Sequence, residues 1–212
     1  MPRTLVTAGT IALPGLIFAG WLIVRAGCSA GPPHATVIDP PLSVENFALT
    51  SHTREHVELS DYQGRWVLLF FGFTACPDFC PTTLSELARS LEQLQDAASA
   101  VQVLFVSVDT ERDSPAKLAE YVAFFHPSFV GLFGSTSEIA AAEHSVAAYH
   151  HSHTKPSEEP TIEHTTRVYL LDPAGRMVAS YPYGFQAEEL TADLRWFLKN
   201  APAVQLEVTV RR

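Results

Sequence analysis

The sequence is poor in cysteine and in basic residues, and each shortage excludes a class of protein. Only three of its 212 residues are cysteine, too few for a fold held by several disulfide bonds. Its 14 basic residues are scattered among 23 acidic ones, and the formal net charge is −9. Nucleic-acid binding needs clustered basic residues to neutralise phosphates, so we expect no nucleic-acid partner. Because 47% of the residues are hydrophobic, a core of ordinary size can still be buried.

The first 28 residues are expected to lie outside the globular fold. Residues 5–24 carry no charge and are mostly apolar, with Arg3 before them and Arg25 after them. As a helix they would span about 30 Å, the thickness of the hydrocarbon core of a bilayer. An uncleaved membrane anchor, a cleaved signal peptide and a lipoprotein signal ending at Cys28 remain open. Arg25 stands where lipid-attachment signals usually have an aliphatic residue.

Residues 29–42 are rich in proline, glycine and alanine and are expected to form a linker. A domain is then expected at 43–200, with a C-terminal tail at 201–212. The predicted strands lie at 46–49, 57–59, 66–71, 101–108, 130–133, 168–171 and 176–180, and the predicted helices at 81–95, 115–125, 137–149 and 186–200. This alternation predicts an α/β fold with a central mixed sheet flanked by helices.

Cys76 and Cys80 stand between a predicted buried strand and a predicted helix. Unpaired amides and the helix dipole stabilise a thiolate at such a position. Pro81 disfavours helical geometry at the residue before it, so we expect Cys80 at the helix boundary and not within the helix. A structural disulfide is the alternative, but bridging so short a loop would contribute little stability.

The spacing Cys-x-x-x-Cys is one residue longer than the Cys-x-x-Cys of thioredoxin-type oxidoreductases. The wider loop eases the constraint on the positions of the two sulfurs that favours disulfide exchange, and it leaves room for an ion between them. Two thiolates suit Cu(I), and a third, nitrogen ligand extends such a site to Cu(II). The sequence therefore favours a copper site over a purely redox dithiol.

The chain resembles the Sco (SenC) copper proteins, which are needed to assemble cytochrome c oxidase. The resemblance covers roughly residues 43–200 and rests on four stretches, which are Tyr62-x-Gly64-Arg65 followed by WVLLFFGFTACPDFCP, residues 106–113 (VSVDTERD), His126-Pro127 with Gly131-Leu132, and Glu163-His164-Thr165. It implies a thioredoxin-like fold that binds one copper ion through Cys76, Cys80 and His164.

The same resemblance implies where the protein works and with what. It implies a domain on the outer face of the energy-transducing membrane, which in a bacterium is the periplasmic side of the inner membrane. The N-terminal segment would anchor the domain there. The implied partners are the copper-bearing subunit of cytochrome c oxidase and other copper chaperones.

His164 has to be chosen among nine histidines. It precedes a predicted strand at the loop that faces the dithiol in thioredoxin-like folds, where a proline is usual. A second candidate is an auxiliary metal-collecting loop at 152–160 with the histidines around it, which are His144, His150, His151 and His153. A plain solvated loop is the alternative there. Asp109, Glu111, Arg112 and Asp113 are expected to form either a side-chain network near the site or ordinary capping and surface pairs. Asp78 is expected to tune the thiolates or contact a partner, and a solvated side chain is the alternative.

We expect binding and transfer of copper and not enzymatic catalysis. The first hypothesis is a metallochaperone that delivers copper to the dinuclear copper centre of cytochrome c oxidase. The alternative is a thiol-disulfide reductase, in which Cys76 and Cys80 would be a catalytic redox dithiol that keeps the copper-ligand cysteines of the oxidase reduced. A peroxidase or redox sensor is disfavoured, because neither cysteine has the sequence context of a peroxiredoxin.

Overall fold

The computed structural model describes residues 31–153 and 161–200. The strands in this part of the chain are β1 Thr36–Ser43, β2 Ala48–Ser51, β3 His56–Glu58, β4 Trp66–Gly72, β5 Val101–Ser107, β6 Val130–Phe133, β7 His150–His153, β8 Thr161–His164, β9 Val168–Leu171 and β10 Arg176–Tyr181. The helices are α1 Phe79–Leu94, α2 Pro115–Phe125, α3 Thr136–Ser145 and α4 Ala187–Asn200.

Eight of these strands form one mixed sheet in the order β1-β10-β9-β4-β5-β6-β2-β3. β4, β5 and β6 are parallel, and the remaining pairs in the sheet are antiparallel. Every residue of β4 and β5 is buried. Since successive side chains of a strand point to opposite faces, both faces of these central strands are covered. The prediction of a mixed sheet flanked by helices is confirmed.

The sheet begins earlier than the sequence suggested. β1 lies mostly within the stretch expected to be a linker, residues 29–42, and pairs with β10 at one edge of the sheet. Its register shifts between Val37 and Leu42, where Pro40 and Pro41 lie. Proline cannot donate to a neighbouring strand and is tolerated at sheet edges and irregularities. A proline-rich stretch was therefore compatible with an edge strand as well as with a linker.

Two helices differ from their predicted bounds. α1 begins at Phe79, so Cys80 lies in its first turn and not outside the helix. Pro81 is tolerated there because the first four amides of a helix have no intrahelical acceptor. α3 ends at Ser145, and Ala147 has a left-handed φ of 55°, which prevents the helix from continuing to residue 149.

β7 and β8 form a separate antiparallel hairpin in a region expected to be loop. In its register His150 lies opposite His164, and His151 lies opposite Glu163. His164 therefore ends a strand of its own and does not lie in a loop before β9. Residues 154–160, which make up most of the proposed metal-collecting loop, lie outside the described residues.

The predicted anchor or signal segment at 5–24, Cys28 and the tail at 201–212 also lie outside the described residues. Within 31–153 and 161–200, no helix has both the length and the apolar character needed to cross a membrane.

Candidate metal centre

Cys76, Cys80 and His164 meet at the end of the central strands. Their side-chain sulfur and nitrogen atoms all lie within 4.8 Å of one another. The Sγ of Cys80 is 3.8 Å from the Nε2 of His164. Among the described residues, these three form the one cluster of His, Cys, Asp and Glu able to hold a metal ion. The structure thus brings together the three residues singled out in the sequence.

Cys80 reaches this position through a close approach to Gly72, the last residue of β4. A Cβ atom added to Gly72 would lie 2.7 Å from the Sγ of Cys80 and 2.8 Å from the ring of Phe105. Both distances are too short for non-bonded atoms. Only glycine fits here. Gly72 was not among the predicted site residues, although a glycine that ends a buried strand often marks such an approach.

A buried carboxylate holds the loop that carries Cys76. Asp113, whose side chain is 1% exposed, accepts hydrogen bonds from the amide and the hydroxyl of Thr74 and from the hydroxyl of Ser107. Lys117 lies 3.3 Å from the same carboxylate. Asp113 thereby ties the loop after β4 to the end of β5 and to α2. The expected network did include Asp113, but Thr74 was missed, because nothing in the sequence shows which loop the carboxylate meets.

A hydrogen bond between the two cysteines lowers the pKa of Cys76 and raises the pKa of Cys80. The thiol of Cys80 donates to the sulfur of Cys76, and this bond is the main reason that the pKa of Cys76 falls from 9.0 to about 4. Burial opposes the shift, and His164 and the backbone amides of Cys80 and Asp78 add to it. The same bond and burial raise the pKa of Cys80. At neutral pH the pair therefore holds one thiolate, on Cys76, and one thiol, on Cys80.

The imidazole of His164 is oriented by the backbone and by aromatic rings. Its Nδ1 lies 3.0 Å from the carbonyl oxygen of Thr165. A carbonyl can only accept, so Nδ1 donates to it, and Nε2 is the ring nitrogen that faces the sulfurs and becomes a metal ligand when it carries no proton. Phe73 meets the ring edge-on at a centroid distance of 5.8 Å, and Phe70 does so at 6.4 Å.

Asp109 and Arg112 of the predicted network are close to the site, whereas Glu111 is exposed. Arg112 forms an ion pair with Asp109, and its guanidinium lies 5.8 Å from the centroid of the Phe73 ring. Phe73 in turn packs against His164. The charged loop after β5 therefore supports the ring that positions the imidazole.

The other histidines whose side chains the structure describes do not join the cluster. His144 and His151 are exposed, and the Nδ1 of His150 contacts the carboxylate of Glu143 at 2.8 and 2.9 Å. His126 caps the C-terminus of α2, where its ring contacts Ser128 and Phe129. Of the histidines that the sequence offered as alternatives, His144, His150 and His151 thus do not belong to the cluster, and the side chain of His153 lies outside the described part of the chain.

An open cleft of about 450 Å³ leads to the cluster. Cys76 and His164 line it, together with apolar side chains that include Phe79 and Ile162. Cys80 is fully buried and does not line the cleft. An approaching group therefore meets the sulfur of Cys76 before that of Cys80.

Comparison with known proteins identifies the family. Residues 36–199 match the sequence model of SCO1/SenC. The chain belongs to the SCO1/SenC family. It is 37% identical over 153 residues to the mitochondrial SCO2 homologue of Homo sapiens, and the match covers 71% of this chain. The chain spans 58% of the length of that relative, which is less than two thirds.

Two solved structures of Sco proteins share the fold. Copper-bound ScoI of Bradyrhizobium japonicum is 36% identical with a TM-score of 0.67, and the match covers 72% of this chain and 98% of that one. BsSco, described as a member of the Sco family of cytochrome c oxidase assembly proteins with a disulfide switch, is 26% identical. Its TM-score is 0.58, with 74% and 93% of the two chains covered. The thioredoxin-like fold implied by the resemblance is confirmed.

Proposed function

We propose that this chain binds one copper ion through Cys76, Cys80 and His164 and delivers it to the dinuclear copper centre of cytochrome c oxidase. The observation that carries the proposal is the meeting of two sulfurs and one imidazole nitrogen within 4.8 Å. Membership of the SCO1/SenC family supports it, since a family member from Bradyrhizobium japonicum has been solved with copper bound.

The donor set fits copper in both oxidation states. Thiolates are soft ligands that suit Cu(I), and imidazole suits Cu(II) as well. Bonds of about 2.0–2.3 Å place two ligands of one metal ion roughly 3.5–4 Å apart. The 3.8 Å separation of the Cys80 sulfur and the His164 nitrogen falls in that range. The three atoms could therefore hold one ion with little movement.

Each residue has a distinct part in binding and release. The thiolate of Cys76 is present at neutral pH and faces the cleft. Cys80 becomes a ligand by losing its proton, and its burial keeps an acceptor away from its sulfur. Transfer to the thiols of an acceptor would therefore begin at Cys76, with Cys80 as the last sulfur to release the ion.

Copper titration of the purified chain tests the site. We expect one copper ion per chain, a thiolate-to-Cu(II) charge-transfer band, and an EPR signal with nitrogen coupling. Cys76→Ser, Cys80→Ser and His164→Ala should each abolish the charge-transfer band or alter the signal. If Cys76→Ser binds Cu(I) as tightly as the unaltered chain, the proposed site is wrong.

The proposed partners and location follow from the family. The copper-bearing subunit of cytochrome c oxidase would receive the ion, and another copper chaperone would supply it. We propose that residues 5–24 anchor the domain on the outer face of the membrane. Transfer of copper from the loaded chain to the purified copper-binding domain of that subunit tests the proposed acceptor. Protease accessibility of the domain in intact and opened spheroplasts tests the proposed location.

A second candidate function is a thiol-disulfide reductase, and the low pKa of Cys76 favours it. The Cys76 thiolate would attack a disulfide of the oxidase subunit and form a mixed disulfide. Cys80 would then attack the sulfur of Cys76 in the mixed disulfide and release the substrate. The substrate would leave with two thiols, and this chain would hold a Cys76–Cys80 disulfide. An external thiol reductant would have to restore the dithiol.

A substitution of His164 distinguishes the two functions. Reductase chemistry needs only the sulfurs, so His164→Ala should retain reductase activity toward a disulfide of the subunit while losing Cu(II) binding. Equal loss of both would contradict the reductase hypothesis. The disulfide switch named for BsSco makes this test relevant to the family.

A further inference from the structure

Buried Glu143 and partly buried His150 form a pair outside the metal centre. Glu143 lies near the end of α3, and its side chain is only 7% exposed. Both of its oxygens lie within 2.9 Å of the Nδ1 of His150, whose side chain is 19% exposed. A carboxylate only accepts, so Nδ1 of His150 is the donor. A buried carboxylate is costly without such a partner, which makes this contact hard to break.

His150 occupies a particular place in the hairpin. It lies directly opposite His164 in the β7–β8 register. Residues paired in this way have their side chains on the same face of the hairpin and their Cβ atoms about 5 Å apart. Next to this pair, the amide of Thr165 donates to the carbonyl of Tyr149 at 2.9 Å. Whatever fixes β7 at His150 therefore also fixes β8 at His164.

The dithiol is held by different contacts. Asp113 binds Thr74 and Ser107, and Gly72 admits Cys80. None of these contacts involves α3 or the hairpin. A shift of the hairpin would therefore move the nitrogen ligand and leave the contacts that anchor the two sulfurs intact.

We propose that the Glu143–His150 pair positions His164 over the dithiol and so determines how tightly the centre binds Cu(II) relative to Cu(I). This inference rests on the proposed copper function. Two thiolates alone can hold Cu(I), whereas Cu(II) gains from the imidazole nitrogen. Loosening the hairpin therefore weakens Cu(II) binding selectively. Glu143 and His150 act through His164 and do not touch the ion.

The test compares Cu(I) and Cu(II) affinities in the full chain, measured by competition with chelators of each ion. Glu143→Leu removes the acceptor of His150, and we expect the Cu(II) affinity to fall about 10-fold, the lower end of the loss that follows when a hydrogen-bond partner of a metal ligand is removed, because Glu143 acts on His164 one residue further away. Its Cu(I) affinity should stay unchanged. Glu143→Gln keeps one oxygen that can accept from His150, so it should recover most of the Cu(II) affinity.

His151→Ala is the matched control. His151 is the next residue of the same strand, is exposed, and lies opposite Glu163 instead of His164. The His151→Ala substitution removes a histidine and leaves the Glu143–His150 pair intact, so its Cu(I) and Cu(II) affinities should match those of the unaltered chain. EPR of the Cu(II) forms should show weakened nitrogen coupling in Glu143→Leu and normal coupling in His151→Ala.

Two outcomes would overturn the inference. One is an equal fall of Cu(I) and Cu(II) affinity in Glu143→Leu, which would mark a general loss of structure. The other is no change in either. If Glu143→Leu does not fold, His150→Phe removes the donor of the same hydrogen bond. This variant must then show a lower Cu(II) affinity and an unchanged Cu(I) affinity. Failure of the unaltered chain to bind copper through Cys76, Cys80 and His164 would instead refute the proposed function itself.

Discussion

The Nε2 of His164 lies 3.8 Å from the Sγ of Cys80, although 84 positions separate the two residues in the chain. The sulfur comes from the first turn of α1, after the central strand β4, and the nitrogen comes from the end of β8. Separate contacts hold the two halves, with Asp113 on one side and Glu143 and His150 on the other. Each half can therefore be perturbed at its own anchoring contacts.

Cys76 should be reactive as a thiolate over an unusually wide pH range. Since its pKa is about 4, the alkylation rate of Cys76 in the reduced, copper-free chain should change little between about pH 5 and 8. Cys80, fully buried and with a raised pKa, should remain unmodified. Mass spectrometry after timed alkylation with iodoacetamide measures both rates.

Cys80→Ala provides the comparison for that experiment. The variant lacks the thiol whose hydrogen bond is the main cause of the low pKa of Cys76. The alkylation rate of Cys76 in the variant should therefore rise with pH by up to about tenfold per pH unit below its new pKa. The same steep rise in the unaltered chain would show that Cys76 is an ordinary thiol.

Copper binding should release about one proton from the dithiol at neutral pH, not two. Cys76 has already lost its proton, and the proton on Cys80 is displaced when that sulfur becomes a ligand. Calorimetric titration with Cu(I) in buffers of different ionisation enthalpy counts the protons. A release of two protons from the cysteines would contradict a dithiol that holds one thiolate and one thiol.

Gly72→Ala should displace Cys80. The added Cβ would lie 2.7 Å from its Sγ and 2.8 Å from the ring of Phe105, and both side chains are fully buried. Overpacking of this kind costs about 1–3 kcal/mol of folding free energy. We expect that loss in chemical denaturation, together with a lower copper affinity. Gly31→Ala is the control, because a Cβ there meets no atom within 4 Å, and it should change neither quantity.

Asp113→Ala should loosen the loop that carries Cys76. It leaves the amide and hydroxyl of half-buried Thr74 and the hydroxyl of buried Ser107 without their acceptor, and a buried group left unsatisfied in this way costs about 1–3 kcal/mol. Both Cu(I) and Cu(II) affinities should fall, in contrast to the selective effect expected at Glu143. Asp96→Ala, at an exposed position, should leave both affinities and the unfolding midpoint unchanged.

Several parts of the structure followed from local sequence alone. The apolar runs of β4 and β5 are buried along their whole length, and helices and strands alternate as the patterns predicted. Such signals are local, because periodicity and capping depend on neighbouring residues. The edge strand β1 and the β7–β8 hairpin were missed. Each owes its conformation to pairing with a distant partner, which overrides weak or contrary local preferences.

The sequence by itself determined the chemistry of this protein, namely two cysteines with a four-residue step, a histidine in a recognisable context and a core able to form a mixed sheet. The tertiary structure decided which histidine meets the sulfurs, that Gly72 makes room for Cys80, and that Glu143 pairs with His150. The physical reason is that ligand identity is a local property. Ligand distance, burial and pKa depend on groups that only folding brings together.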